Sequence, residues 1–438
     1  MTHTVEIERM AYGADAIGHL PDGKAVFVAG GAPGDVAEIE MTEEKGSFAR
    51  ASIARIVEPS PCRVRPESPI DQACGTAPWQ HLSYEAQLEA KRANIVGALV
   101  HTAHFDEGRA EDVVAACVGS KRTWNYRNKL ELATGTDARG KFALGFHREG
   151  TNEFVATESS HLAHKQIEKA PKALGGAIRF AQGNQDLDIF RVGVRHSLAT
   201  GELEVALWTK PGAFPRGMFA KTLSSACKAT SVVRVLADPG KARKIKGVEI
   251  LDGRGYWRER IGDAEFSTQA PSFFQVNTAQ AGKLVELVTQ GLGDVDGTYI
   301  ADLYAGGGTF SVPLALAGAD VVAVESAGSS VRDLRFNAEN NGVDIEVVGG
   351  DAARELSDLG ELDALVVDPP RSGLAENVPA DIAAAQPGRV AYVSCDPVTW
   401  ARDIARFAAC GYHLAAATPV DLFPQTYHVE TVSFLEPA

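Results

Sequence analysis

The sequence predicts an α/β protein. Its main body is a doubly wound, mostly parallel sheet of seven strands, with a small β-barrel before it and a central α+β segment between. Three observations predict this. Residues 266–438 alternate short apolar runs with helical patterns, as βαβ units do. Residues 1–58 alternate apolar and acidic side chains between Gly and Pro turn signals. The 438 residues are 45% hydrophobic and 23% charged, an ordinary globular composition that excludes wholesale disorder, collagen and coiled coil. At roughly 150 residues per domain, that length allows about three domains.

The first domain is expected over 1–58. Ala37, Ile39 and Met41 alternate with Glu38 and Glu40, the period of a half-buried strand. Gly30-Gly31 and Pro33-Gly34 are turn signals, Pro59 and Pro61 mark the exit, and a five-strand barrel fits the length. The second domain, 59–265, carries helical periodicity over Tyr84–Val100 and short β-like runs at 189–195 and 203–209. The third, 266–438, has strand-like runs at Tyr299–Leu303, Val321–Val324, Ile345–Val348, Leu362–Val367 and Val390–Val393. Two more lie near 412–418 and 428–435, and Val331–Asn341 and Val398–Ala409 are helical. Strands buried on both faces have this uniformly apolar look.

The net charge of −14 is not that of an obvious nucleic-acid binder. The total hides an asymmetry. Residues 1–58 carry −5 (5 basic against 10 acidic), 59–265 carry +6 (30 against 24) and 266–438 carry −15 (8 against 23). The middle segment is therefore the expected place for a polyanion, with Lys241, Arg243, Lys244 and Lys246 as the preferred face; the plain reading of that cluster is a solvated loop. No run of about 18 apolar residues suggests a membrane span. The start, MTHTVEIERM, lacks a basic region followed by an apolar one, so a cytoplasmic location is expected. Six cysteines in a chain of this length do not suggest a disulfide framework.

Strand Tyr299–Leu303 runs into Tyr304-Ala305-Gly306-Gly307-Gly308-Thr309-Phe310 and a helix. Glycines there let a backbone approach a ligand and turn into the helix. Glu325 follows about twenty residues on, at the tip of the next strand, where a carboxylate can accept from a ribose diol. The pattern admits NAD or S-adenosylmethionine. It lacks G-x-G-x-x-G, and Asp302 before the loop suits a cationic sulfonium better than a pyrophosphate.

Leu362–Val367 ends in Asp368-Pro369-Pro370-Arg371-Ser372-Gly373, a stiff turn at the strand end where open α/β sheets bind ligands. Val390–Val393 ends in Ser394-Cys395-Asp396-Pro397, placing Cys395 before a helix start. A helix N-terminus is expected to lower a thiol pKa, whereas a free cysteine elsewhere is usually a small buried hydrophobe. Glu430, in His428-Val429-Glu430-Thr431-Val432, interrupts a β-prone run, as either a solvated edge charge or a positioned base.

FFQVN, DLYAGGGTF, DPPRSG, SCDP and HVETV in that order resemble the RNA (uracil-5-)-methyltransferase family over nearly the whole chain. Residues 1–58 resemble its N-terminal TRAM domain and Tyr126-Arg127-Asn128-Lys129 a central-domain motif. The resemblance implies a Rossmann-like methyltransferase domain, S-adenosylmethionine as cofactor and a tRNA or rRNA substrate; no protein partner is predicted. It implies that Gln275, Tyr304, Glu325, Asp351 and Asp368 contact the cofactor, that Cys395 is the nucleophile and that Glu430 is the base. The residue types suit the reaction: a thiolate added to uracil C6 makes C5 nucleophilic, and a base must then remove the C5 proton. The target nucleotide must leave its stack.

The chain also departs from the family, many of whose members bind a [4Fe–4S] cluster through C-x5-C-G-G-C and a downstream cysteine. Here Ala77 stands where the third cysteine belongs, Cys62 lies twelve positions before Cys74, and the downstream position holds His161. Cluster irons want Cys thiolates, so no cluster and no metal are expected. Two competing readings keep the same fold: a methyltransferase acting on another substrate, which needs no thiol, and a non-catalytic RNA-binding relative.

Overall fold

The computed structural model describes residues 2–148, 150–240 and 244–438. They form two compact units: Met1–Thr123 together with Asp368–Ala438, and Trp124–Val367. The chain starts the first unit, builds the second and returns. These units cut across the sequence segments 1–58, 59–265 and 266–438, because residues 59–123 pack in the barrel's unit and the last segment divides at Asp368.

In the first unit, β1 (Thr2–Met10), β2 (Asp15–His19), β3 (Ala25–Ala29), β4 (Val36–Glu44) and β5 (Phe48–Glu58) close a barrel in the order β1-β2-β3-β5-β4, the five-stranded barrel expected for this segment. Ala37 and Ile39 point inward while Glu40 is exposed, so period-two patterning decides which face is buried. The barrel's apolar core continues into Trp79, Leu82 and Ala90. Trp79 donates its indole N–H to the Gly13 carbonyl at 2.9 Å.

The helix Tyr84–Thr102 starts at Ser83, whose hydroxyl accepts from the Ala86 N–H. It carries Lys91, fully buried and paired with the equally buried Asp421. A buried pair offsets its desolvation only when its other lone pairs and protons are satisfied. Here Lys91 also donates to the Phe423 carbonyl, and Asp421 accepts from the Tyr84 hydroxyl at 2.8 Å. Gln87 and Gln425 exchange hydrogen bonds at 2.8 and 2.9 Å. The segment leading to Glu430 is thus anchored on this helix.

The second unit opens with seven strands: β6 (Lys129–Thr136), β7 (Phe142–His147), β8 (Phe154–Ala156), β9 (Ile189–His196), β10 (Leu203–Thr209), β11 (Ser231–Leu236) and β12 (Gly247–Gly253). Their order is β12-β11-β10-β9-β6-β7-β8. Leu130, Val192 and Val205 face a core shared with Leu174 and Ile178 of the helix Ala170–Gln182 and with Phe219 and Leu223 of the helix Arg216–Cys227. On the alternate positions Lys129, Arg195 and Glu204 lie side by side in register across β6, β9 and β10. A hairpin, β13 (Trp257–Ile261) and β14 (Ala264–Thr268), follows.

The unit ends in β15 (Tyr299–Leu303), β16 (Asp320–Glu325), β17 (Ile345–Gly349) and β18 (Ala364–Val367), ordered β17-β16-β15-β18, with β15 parallel to both neighbours and β16 parallel to β17. Back in the first unit, β19 (Arg389–Ser394), β20 (Tyr412–Val420) and β21 (Glu430–Pro437) are antiparallel in the order β19-β21-β20. The seven strands expected over 266–438 are these, β15 to β21. The helices Gly328–Asn341 and Pro397–Ala409 fall where the periodicity placed them. No helix among the described residues is long and apolar enough to cross a membrane.

Candidate active site

The candidate residues divide between the units. Gln275, Tyr304, Glu325 and Asp351 belong to the second; Asp368, Cys395 and Glu430 belong to the first.

In the second unit the glycine loop leaves the buried strand β15. Tyr304 has φ +63°, a left-handed conformation uncommon for a residue with a side chain. Gly308 has φ +89°, and a Cβ there would meet Leu334 Cδ1 at 2.5 Å, so only glycine fits. Glu325, at the end of β16, accepts from the Gly306 N–H at 2.9 Å and the Ala327 N–H at 2.6 Å. Its carboxylate fixes the loop and keeps further lone pairs for a diol. Asn337, absent from the sequence expectations, donates to the Gly307 carbonyl at 2.9 Å. An Asn on a helix carries no local signal for that task.

Asp302 is fully buried. Its Oδ2 accepts from the Ser311 hydroxyl, whereas Oδ1 has no partner, and burial pushes the carboxyl up to about 7. An orphaned buried carboxylate oxygen beside a glycine loop is a fit for a cationic ligand. Gln275 is buried, with its carbonyl held by the Asn128 amide at 2.9 Å. Asp351 is exposed beyond β17 and accepts from the Ala353 N–H at 3.1 Å.

In the first unit, register brings Cys395 and Glu430 together. Ser394 of β19 pairs with Thr431 of β21, so Cys395 and Glu430 are the next residues along adjacent strands. Asp396 caps the helix Pro397–Ala409, accepting from the Val398 and Thr399 N–H groups at 3.1 Å. Arg371 reaches the same carboxylate at 3.4 Å, and Thr399 donates to the Arg371 carbonyl at 3.1 Å. The Leu374 N–H donates to Asp403 at 2.8 Å, so the turn after Asp368 is fastened to that helix.

These contacts overturn the expected low thiol pKa. Burial, with Glu430, Asp368 and Asp396 nearby, pushes Cys395 up to about 12; Arg371 alone pulls the other way. The helix N-terminus does not lower it because the Asp396 carboxylate already occupies that end. Glu430, only 5% exposed, is held well above the usual carboxylate range by burial and by Asp368. A near neighbour missed in the sequence is Tyr12, from the loop between β1 and β2, whose hydroxyl donates to the Cys395 carbonyl. Its distance along the chain leaves no local signal.

Cys62, Cys74 and His161 were the remaining candidates. Cys62 Sγ sits 3.1 Å from Ser60 Oγ, Cys74 is buried at the end of the helix Pro69–Ala73, and His161 belongs to the other unit, 3.6 Å from Glu168. No group of three or more His, Cys, Asp or Glu among the described residues is arranged to hold a metal. Two thiols and a histidine, with Ala77 where a third thiol would stand, do not fit an iron–sulfur cluster. In the basic cluster, Lys246 pairs with Asp238 at 2.7 Å, Lys244 is exposed, and Lys241 and Arg243 lie outside the described residues.

Comparison with known proteins is consistent across sequence and structure. The family described as tRNA (uracil-5-)-methyltransferase matches residues 220–438, and the TRAM domain matches 2–54. An uncharacterized RNA methyltransferase of Gloeobacter violaceus is 34% identical, covering 99% of this chain and 96% of its own. A second, of Thermosynechococcus vestitus, is 31% identical over 99% of this chain and 98% of its own. The crystal structure of Pyrococcus abyssi tRNA (uracil-54, C5)-methyltransferase in complex with S-adenosyl-L-homocysteine superposes with a TM-score of 0.76, at 28% identity, covering 98% of this chain and 99% of that one.

Proposed function

The chain belongs to the RNA (uracil-5-)-methyltransferase family, S-adenosylmethionine-dependent enzymes, and we propose that it methylates C5 of a uridine in tRNA or rRNA through a transient bond between Cys395 and uracil C6. The reading rests on the register that sets Cys395 beside Glu430, with Asp368 within reach of both charges. The cytoplasm, where both RNA classes are processed, is the proposed compartment.

When bound, S-adenosylmethionine supplies an electrophilic methyl group. By the family resemblance Gln275, Tyr304, Glu325, Asp351 and Asp368 would hold it, and the buried Asp302 would suit its positive charge. Cys395 does the covalent work. Its sulfur bonds to C6 as the thiol proton leaves to solvent, and the C5–C6 π electrons move toward O4 as an enolate. C5 then takes the methyl group as the methyl–sulfur bond breaks, its electron pair staying with the departing S-adenosylhomocysteine. Glu430, as carboxylate, removes the C5 proton; those electrons restore the C5–C6 double bond and the carbon–sulfur bond breaks. Burial and neighbouring acids raise both the Cys395 thiol and the Glu430 carboxyl, so the protonated form of each is favoured before RNA binds.

The test is nucleoside mapping by mass spectrometry of tRNA and rRNA from cells with and without this gene, complemented by wild type or Cys395→Ala. 5-Methyluridine should vanish without the gene and return only with wild type, and its position separates tRNA from rRNA. Full recovery with Cys395→Ala would remove the thiol from the mechanism.

A further inference from the structure

Gln275 lies in a stretch, 269–277, that belongs to no helix or strand. Its buried backbone groups therefore need partners from other elements. Asn128, just before β6, serves the end of the stretch. Its side-chain amide donates to the Gln275 carbonyl and to the Thr278 hydroxyl at 2.9 Å each, and its backbone N–H donates to the Val276 carbonyl at 2.7 Å. The ring of Phe274 packs edge-on to Trp257 of β13, centroids 5.3 Å apart.

Arg195 of β9 serves the beginning of the stretch. It is buried, and its guanidinium donates to the carbonyls of Gln269 at 3.1 Å, Ala270 at 3.4 Å and Ser272. Asp333, on the helix Gly328–Asn341, accepts from the Gln269 N–H at 3.2 Å. A planar guanidinium offers several donors in a fixed fork, so one side chain can hold three carbonyls of a single turn; an ammonium is a point donor. Glu204 faces Arg195 in register on β10, and Glu131 and Asp333 add to the field that balances its charge. Burying a cation is costly even when acids surround it, and water could satisfy the carbonyls of a turn whose position did not matter.

We propose that Arg195 is a positioning residue for cofactor binding: by fixing the backbone at 269–272 it sets where Gln275 presents its side chain to S-adenosylmethionine. The proposal rests on the reading of Gln275 as a cofactor contact. Arg195 itself touches neither cofactor nor RNA in this account. Its effect is geometric, and a displacement of about 1 Å in a group that positions a ligand can cost as much as a hundredfold.

A double-mutant cycle read by calorimetry with S-adenosylmethionine tests it. Arg195→Lys keeps the charge, loses the fork, and should bind the cofactor about tenfold more weakly. Gln275→Ala should lose a similar factor, and the double variant should lose no more than Gln275→Ala alone, because Arg195 acts through Gln275. In steady state the KM for S-adenosylmethionine should rise in Arg195→Lys with kcat unchanged. In Arg195→Ala, millimolar guanidinium should restore the affinity, a rescue that a merely structural role would not give; it has a way in through a cavity of about 1200 Å³ lined by Lys129, Ala270 and Ser272. Wild-type affinity in Arg195→Lys, or losses that add in the double variant, would overturn the proposal. Wild-type affinity in Gln275→Ala would overturn it too, by removing its premise. Nucleoside mapping scores the methylation of RNA independently, so the two failures are distinguishable.

Discussion

The hydroxyl of Tyr12 lies 3.3 Å from the backbone carbonyl of Cys395, and at the same distance from the carboxylate of Asp396. A residue of the barrel loop thus holds the peptide that carries Cys395. Tyr12 is itself fixed by edge-on contact with Tyr427, their ring centroids 5.7 Å apart.

Removing that hydroxyl should loosen the loop without unfolding the barrel. Tyr12→Phe is expected to lower kcat by roughly tenfold, the worth of one hydrogen bond, with the KM for S-adenosylmethionine unchanged. Steady-state kinetics check this. Alkylation of Cys395 by iodoacetamide should also change rate, which a purely structural role of the ring would not produce.

Glu430→Gln should stop the reaction after methyl transfer. The glutamine cannot remove the C5 proton, so the carbon–sulfur bond cannot break and RNA should remain attached to Cys395. A denaturing gel with labelled RNA should show a shifted band in Glu430→Gln and none in the double variant that also carries Cys395→Ala. Absence of the band with a verified substrate would exclude Glu430 as the base.

The raised pKa values of Cys395 and Glu430 predict alkaline activation. Both groups must be anions to act and burial favours the proton on each, so each proton lost favours turnover. The single-turnover rate should climb from about pH 7 to about pH 9, by up to tenfold per unit where one deprotonation limits it. A flat profile would mean that RNA binding alone removes both protons.

Asp302 makes a prediction about stability. Its carboxyl sits at about 7 in the folded chain against 3.8 ordinarily, so the folded state binds the proton more tightly. The contribution to stability is fully present below about pH 4 and is lost as pH rises through about 7. Asp302→Asn escapes that loss. Without cofactor it should melt with wild type at pH 4 and above it at pH 8, by up to about 4 kcal/mol. Its affinity for S-adenosylmethionine, measured by calorimetry, should fall, because the group facing the positive charge is gone.

Much of this could be read locally. The run Tyr299–Leu303 is a strand to the residue, and Glu325 stands at the end of the next, because fully buried parallel strands are apolar throughout. The barrel showed in the alternation of Ala37 and Ile39 with Glu38 and Glu40. The central sheet was harder. Strand β12 alternates half-exposed with exposed residues at a sheet edge, and β8 is three residues long, so neither carries a burial pattern. The ionisation of Cys395 was misread because the local signal, a helix start, is cancelled by the Asp396 carboxylate that caps it.

The amino-acid order alone determined most of the strands and helices and pointed to Cys395, Glu430 and the glycine loop as candidates, because period, turn chemistry and motif are properties of neighbours in the chain. Only the tertiary structure decided that Cys395 is a protonated thiol among three acids, that Tyr12, 383 positions away, holds its peptide, and that Asp302 keeps a lone buried oxygen. Desolvation and electric fields fall off with distance in space, and folding brings together groups that the chain keeps far apart.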